Sequence, residues 1–363
     1  MGIPLAAATL ASVRAVPVIY GRYVALSTMS DPIMTFKTRD FVKRVLAPIL
    51  RMWHFKRINN FYVLRKPPKY LEAYHSYCSE LMQESLRHSR QKEIYFLITC
   101  EFTPIMPRGA KYVLIQFEHA IVSSDYVSQR IEILENVTDG PYVGKYSVRL
   151  IGNTQDYRNA FAIIDYSKAN IAHVSNSPLS DLYSTKVIYI APVFTELNER
   201  WLFSSQQRTA VTMFGNPGAG RRKSFLESMR MGGIQVSNLM GDYLNYFAMF
   251  KEYGILINVH QTDKHHTLEE LRLLPALASG LRVISEESPY LEVIPYAEFI
   301  IFAAISELAD RVIQLQRTQD GDQEGSVVRQ RFCDLYTKLQ EENRVNMQAA
   351  LHPLAETLYA NDR

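Results

Sequence analysis

From residue 209 to residue 317 the chain alternates short apolar runs with amphipathic stretches, and nothing else in the sequence constrains the fold as strongly. The runs "TAVTMFGN", "IQVSNL", "GILINVH", "LRVISE" and "EFIIFA" have strand length. Between or after them stand "RRKSFLESMRMGG", "DYLNYFAMFKEY", "LEELRLLPALASG" and "ISELADRVIQLQR", whose apolar residues recur at helical spacing. A strand that is apolar throughout is covered on both faces, which is the habit of a parallel sheet flanked by helices. The alternation therefore predicts a doubly wound α/β domain.

The preceding half repeats the texture less regularly. "EIYFLITC", "KYVLIQFE", "ANIAHVS" and "KVIYIAPV" read as further buried strands, and "YLEAYHSYCSELMQESLRHSR" as a helix after the break at Pro67 and Pro68. Pro192 and the polar "TELNERW" mark a boundary near residue 195, and "TQDGDQEGS" reads as a linker. The expected fold is α/β, with two Rossmann-like doubly wound domains facing a cleft. Its parts are 1–195 with a basic, helical N-terminal region, 196–325, and C-terminal helices over 326–363.

With 363 residues, 47% of them hydrophobic and 21% charged, the chain can bury a sizeable core. A net charge of +3 gives no argument for nucleic acid. The three cysteines, Cys78, Cys100 and Cys333, are far apart and form no CxxC, so a reducing, cytoplasmic setting is expected. The first thirty residues hold Arg14 and Arg22 and no acid before Asp31. They read as a leader or as a first strand and helix, because their apolar run is too short to span a membrane. "TRDFVKRVLAPILRMWHF" has an apolar helical face beside Arg39, Lys43, Arg44 and Arg51. It reads as a solvated helix, with peripheral membrane contact as the alternative.

Ligands of such sheets bind beyond the carboxyl ends of the strands. In "FGNPGAGRRKSF" a strand runs into Gly215, Asn216, Gly218 and Gly220, and Arg221, Arg222 and Lys223 then open a helix. Glycines let backbone N–H groups approach an anion, and arginines grip phosphate. The loop is neither a P-loop nor a GxGxxG fingerprint, and a surface loop with solvated cations is the competing reading. In "NVHQTDKHHTLEELRLLPALASGLRVISE", His260 ends a strand and His265 and His266 precede a helix. Thr267 is placed as its N-cap with Glu270 as capping-box partner, and Glu269 and Arg272 as a surface pair. Pro275 interrupts the helix or marks its proper start. The three histidines, with Asp263, could hold zinc, but HExxH spacing and a nearby cysteine are missing. The other use is as phosphate donors or a general base. Glu101, Glu118, His119 and the Asp165-Tyr166-Ser167 run also fall at strand ends, where a carboxylate or imidazole can take a hydroxyl proton or merely cap a helix.

The strand followed by "GNPGAGRRKSFL", then "GILINVHQ" and "EELRLLPALASGLRVISE", resembles the nucleotide-sugar-binding half of GT-B glycosyltransferases. The likeness is greatest to small bacterial and viral members with an NxH…R…LAxG…ISE pattern. "YVLIQFEHA" and "DYSKANI" are similar to the N-terminal halves of that group, so the likeness covers about residues 93–315. The resemblance implies transfer of a sugar from a nucleoside diphosphate to a glycan or other hydroxyl acceptor. Gly215, Asn216, Arg221, Arg222 and Lys223 would hold the diphosphate. His260, His266, Thr267, Glu270 and Arg272 would line the donor pocket, and Glu101, Glu118 and His119 are the candidate bases. No metal or cofactor besides the donor is implied, because arginines, lysine and helix N-termini can neutralise the leaving group. The C-terminal helices would cross back to the first domain. One departure stands out. Many retaining members keep a pair of glutamates in this helix, and counting back from Gly280 their places fall on Thr267 and Pro275. Stereochemistry stays open. A degenerate module that binds nucleotide or glycan without turnover is the alternative, and a histidine-based metal hydrolase the third.

Overall fold

Two parallel sheets take up most of the apolar runs. The protein's structure is a computed structural model that describes residues 54–59, 61–87, 95–101, 111–128, 131–197, 209–218, 220–239, 249–250, 252–317 and 322–351. The first sheet holds β1 (Phe55–Ile58), β2 (Phe61–Leu64), β3 (Tyr95–Thr99), β4 (Lys111–Gln116), β8 (Ala162–Asp165) and β9 (Val187–Tyr189), side by side in that order. The strands from β2 to β9 are parallel, and β1 pairs antiparallel to β2 at the edge. The second sheet has the order β11 (Val236–Asn238), β10 (Ala210–Thr212), β12 (Ile255–Asn258), β13 (Arg282–Glu286), β14 (Ile300–Ala303), all parallel. Its order reverses between β10 and β12. Along the first sheet the described strands follow chain order.

Helices follow as the apolar spacing requires: α1 (Glu72–Leu86), α2 (Thr154–Asn159), α3 (Lys168–Ser175), α4 (Ser180–Tyr183), α5 (Gly220–Met231), α6 (Glu270–Ala278), α7 (Leu308–Arg317) and α8 (Asp322–Leu351). Three segments depart from expectation. "ANIAHVS" is the helix α3 rather than a strand. The Ser167 side chain accepts a 3.1 Å bond from the Asn170 amide and starts the helix, a local signal that outweighs a short apolar run. The stretch before Pro67, expected to be helical, holds the β1–β2 hairpin. Asn59 turns it at φ 47°, a conformation asparagine tolerates, and Phe55 packs edge-on against Phe96 at 5.0 Å. The polar linker at 318–326 overlaps α8, which begins at Asp322.

An antiparallel sheet, unanticipated from sequence, lies between β4 and β8 in the chain: β5 (Ile121–Ser123), β7 (Tyr146–Ile151) and β6 (Glu132–Asn136), with β7 central. The leader and basic helix expected within residues 1–53, the last expected helix after 351 and most of "DYLNYFAMFKEY" lie outside the described residues. No helix among the described residues is long and apolar enough to cross a membrane.

Residues Leu50–Arg363 form one compact unit. α8 binds its two sheets together. Phe332, Tyr336 and Leu339 pack in a core with β10, β12 and α6, while Met347 and Leu351 join the core around β3 and β4. Buried Asn343 fixes the register of this helix. Its Oδ1 accepts from the Ala191 amide at 2.8 Å, and its Nδ2 donates to the Ala191 carbonyl at 2.8 Å and to the Tyr77 hydroxyl at 3.0 Å. Asn343→Leu fits the space but leaves the Ala191 N–H unpaired, so urea unfolding is expected to show a loss of about 1–3 kcal/mol. An unchanged midpoint would show that Asn343 does not fix the register.

Candidate functional site

The carboxyl ends of β10, β12 and β13 come together at the order reversal of the second sheet. After β10 the backbone turns through exposed Gly215, Asn216 and Gly218. Gly220 opens α5 at φ 56°, a left-handed conformation that favours glycine. Arg221 follows and ties three elements together. Its Nη2 donates to Glu286 Oε1 at 2.6 Å, its Nε stands 3.0 Å from Asp263 Oδ1, and its Nη1 donates to the Thr262 carbonyl at 3.3 Å. The other Glu286 oxygen accepts from the His260 amide at 3.1 Å. Lys223 is exposed, 3.8 Å from Glu227 one turn on.

The His260 ring is buried, which lowers its pKa and favours the neutral form. Its Nε2 lies 2.9 Å from the Glu287 carbonyl, which can only accept, so Nε2 carries the proton. Nδ1 then presents a buried lone pair with no hydrogen-bond partner among the described residues. That atom suits a ligand hydroxyl or amide donor rather than a phosphate oxygen.

Arg222, expected at the diphosphate, turns inward. Its Nε and Nη2 donate to the Val259 carbonyl at 3.1 and 2.8 Å, Nη2 also donates to Glu269 Oε1 at 3.0 Å, and the guanidinium lies over the Phe214 ring. Arg272 pairs with the same Glu269. Glu269 is therefore a buried carboxylate held by two guanidinium groups, not one half of a surface pair.

Thr267 does not cap α6, which starts at Glu270 without a side-chain cap. Its hydroxyl instead accepts from the Ile121 amide at 2.9 Å and donates to Asn170 Oδ1 at 3.3 Å, where a β5 amide lies in reach. Glu270 is wholly buried and takes a hydrogen bond from the Tyr296 hydroxyl. Burial pushes its pKa up to about 8, and burial likewise pushes Asp165 up to about 7.

On the first-sheet side, Glu101 follows β3, is exposed, and accepts from Tyr70 at 3.2 Å. Glu118 and His119 follow β4. Arg149 of β7 holds them: it donates to Glu132 Oε1 at 2.9 and 2.6 Å, to Glu118 Oε2 at 3.4 Å and to the His119 carbonyl at 3.4 Å. The His119 Nδ1 is buried without a hydrogen-bond partner among the described residues, and burial, then neighbouring His265, lowers its pKa. The His265 ring stands edge-on between His119 at 5.6 Å and Tyr126 at 5.4 Å. His266 Nε2 is 3.1 Å from Ser123 Oγ, with the Tyr146 ring at 4.8 Å.

The structure thus gathers Glu118, His119 and His265 into one cluster, and Arg221, His260 and His266 into another around Glu286. It buries Arg222, Thr267 and Glu270 away from both, while Arg272, paired with Glu269, stays within electrostatic reach of His119. Sequence reasoning missed Arg149, Glu132 and Glu286. Arg149 had a signal: a lone arginine inside the apolar strand "YSVRLI" is charged where charge is seldom buried unpaired. No three His, Cys, Asp or Glu side chains among the described residues are placed to hold a metal ion.

Fold and site together define an α/β protein with two Rossmann-like parallel sheets and polar groups gathered at the strand carboxyl ends. No family model and no curated protein matches the sequence. Among solved structures the chain is similar to the DNA-modifying enzyme β-glucosyltransferase, crystallised in the presence and absence of uridine diphosphoglucose. The identity is 11% and the TM-score 0.37, over 78% of this chain and 93% of that one. It is also similar to a glycotransferase of kitacinnamycin, with 12% identity and a TM-score of 0.33, over 77% of this chain and 80% of that one. At this overlap the two names carry no argument about the substrates of this chain.

Proposed function

We propose that the chain is a glycosyltransferase that moves a sugar from a nucleoside diphosphate to a hydroxyl acceptor. The observation that supports it is the meeting of an exposed glycine turn, Arg221 and the free lone pair of His260 at the order reversal of the second sheet. In this reading the backbone of Gly215 and Asn216, with Arg221 and Lys223, faces the leaving diphosphate. His260 Nδ1 accepts from a donor hydroxyl, and His266 lies beside it, the two rings 6.0 Å apart. His119, neutral through burial, takes the acceptor proton as the new bond to the anomeric carbon forms and the bond to the diphosphate oxygen breaks. Glu118 is the alternative base. No metal or further cofactor is required. Residues 1–195 supply the acceptor side and 196–325 the donor side. Any contact with a membrane surface would rest on Arg39, Lys43, Arg44 and Arg51, outside the described residues, in an otherwise cytoplasmic protein.

A binding module without turnover is the second reading. It is favoured by the pairing of Arg221 and Arg222 with carboxylates of the protein itself. Nucleoside diphosphates and their sugars separate the two. The transferase is expected to show a thermal shift with at least one nucleotide and release of the diphosphate from its sugar. His119→Ala should then slow release about 10²- to 10⁴-fold without loss of nucleotide binding. A shift without release supports the module, and neither shift nor release sinks both.

A further inference from the structure

The segment from Thr262 to Thr267 lies against the free edge of β5 as a short added strand. The Ser123 amide donates to the Lys264 carbonyl at 2.9 Å, the His266 amide donates to the Ile121 carbonyl at 3.0 Å, and Val122 and His265 stand opposite as an antiparallel bridge. Side chains extend the contact. Ser123 Oγ reaches the Asp263 carbonyl at 3.2 Å, Lys264 pairs with Asp125, and Thr267 accepts from the Ile121 amide. The other edge of β5 is taken by β7. Three residues of strand pairing are marginal by themselves, so the segment needs an anchor at its other end. Arg221 supplies one: it bonds the Thr262 carbonyl and pairs with Asp263, whose side chain is 80% exposed and can swing away.

We propose that residues 262–267 are a latch strand between the two sheets, pinned from the second-sheet side by Arg221 and released when an anion takes Arg221 for itself. An anion at Arg221 competes directly with Asp263 and the Thr262 carbonyl. Loss of the pin frees the strand that carries His265 between His119 and Tyr126 and His266 beside Ser123. Occupancy at one sheet is thereby coupled to the histidine cluster at the other. The release arm rests on the donor-site reading above, whereas the pin does not.

Residue-resolved amide hydrogen exchange on the full chain tests it. Arg221→Gln should speed exchange at Ile121, Ser123 and His266 at least tenfold. Val122, whose amide by strand alternation faces β7, should stay protected. Asp263→Asn should give a smaller change at the same amides. Inorganic pyrophosphate or uridine diphosphate, at concentrations where binding is seen by calorimetry, should speed the same three amides in the wild type and not in Arg221→Gln. Unchanged exchange in Arg221→Gln overturns the proposal. So does loosening spread evenly through the second sheet, or bound anion without loosening. If neither anion binds, the release arm falls, the donor-site reading is decided by the full set of nucleoside diphosphates, and the exchange of Arg221→Gln alone decides the pin.

Discussion

Glu270→Gln is expected to make the protein more stable at pH 8 by a few kcal/mol and to leave it nearly unchanged at pH 4. Glu270 lies wholly buried, bonded to the Tyr296 hydroxyl, and burial holds its pKa at about 8 against an ordinary value of 4.5. Below pH 4.5 the carboxyl is protonated in both folded and unfolded chains, and the stabilising difference is intact. Between 4.5 and 8 the unfolded chain gives up the proton while the folded one keeps it. Stability therefore falls by up to about 1.4 kcal/mol per pH unit. Above pH 8 the folded carboxyl ionises too and the loss levels off. Glutamine cannot ionise and still accepts from Tyr296, so it removes this slope. Asp165, raised to about 7 by burial, contributes a similar slope at lower pH in both proteins. The difference between variant and wild type isolates Glu270: flat to about pH 4.5, rising to about pH 8, then flat. Urea unfolding at half-unit steps from pH 4 to 9 measures it. A variant no more stable than wild type at pH 8 would mean that the carboxyl is ionised and solvated in the folded protein.

The same residue shows what the sequence could and could not reveal. The central strands of the second sheet were legible because their runs are mostly apolar, as a doubly covered parallel sheet asks; the edge strand β11, with Ser237 exposed, followed only from the alternation. The glycine turn and Arg221 at the end of β10 were legible for the same reason, since the strand end located them. Thr267 and Glu270 matched a capping box three residues apart, a pattern built from local contacts. The chain met a stronger offer from afar: the Ile121 amide, 146 residues away, claims the Thr267 hydroxyl. Local spacing cannot anticipate a partner at that separation. The antiparallel sheet stayed hidden because β6 is only partly buried and carries Glu132 and Glu135, so it lacks the apolar signature of the parallel strands. Arg149 and Glu132 sit on that sheet, and the cluster around His119 was invisible with it.

Arg222→Ala is expected to destabilise the fold by about 3–5 kcal/mol, the range for removing one partner of a buried ion pair. The guanidinium serves three groups at once. Two of its nitrogens share the Val259 carbonyl, Nη2 also reaches Glu269, and its face lies 4.6 Å from the centre of the Phe214 ring. Alanine leaves a buried carbonyl without its donors and a buried carboxylate with Arg272 alone. Arg222→Lys should fall between, because an ammonium cannot reproduce the planar fork or the stacking on Phe214. The exposed neighbour is the control: Lys223→Ala should stay within about 0.5 kcal/mol of wild type. Urea unfolding followed by circular dichroism gives all three values. The experiment also sorts structure from ligand binding. If Arg222→Ala unfolds at the wild-type midpoint yet binds uridine diphosphate tenfold more weakly, the guanidinium leaves Glu269 in solution and grips phosphate. If stability drops and the surviving folded fraction binds as wild type does, the inward pairing is its role, and Arg221 is left as the arginine of this turn that meets the anion.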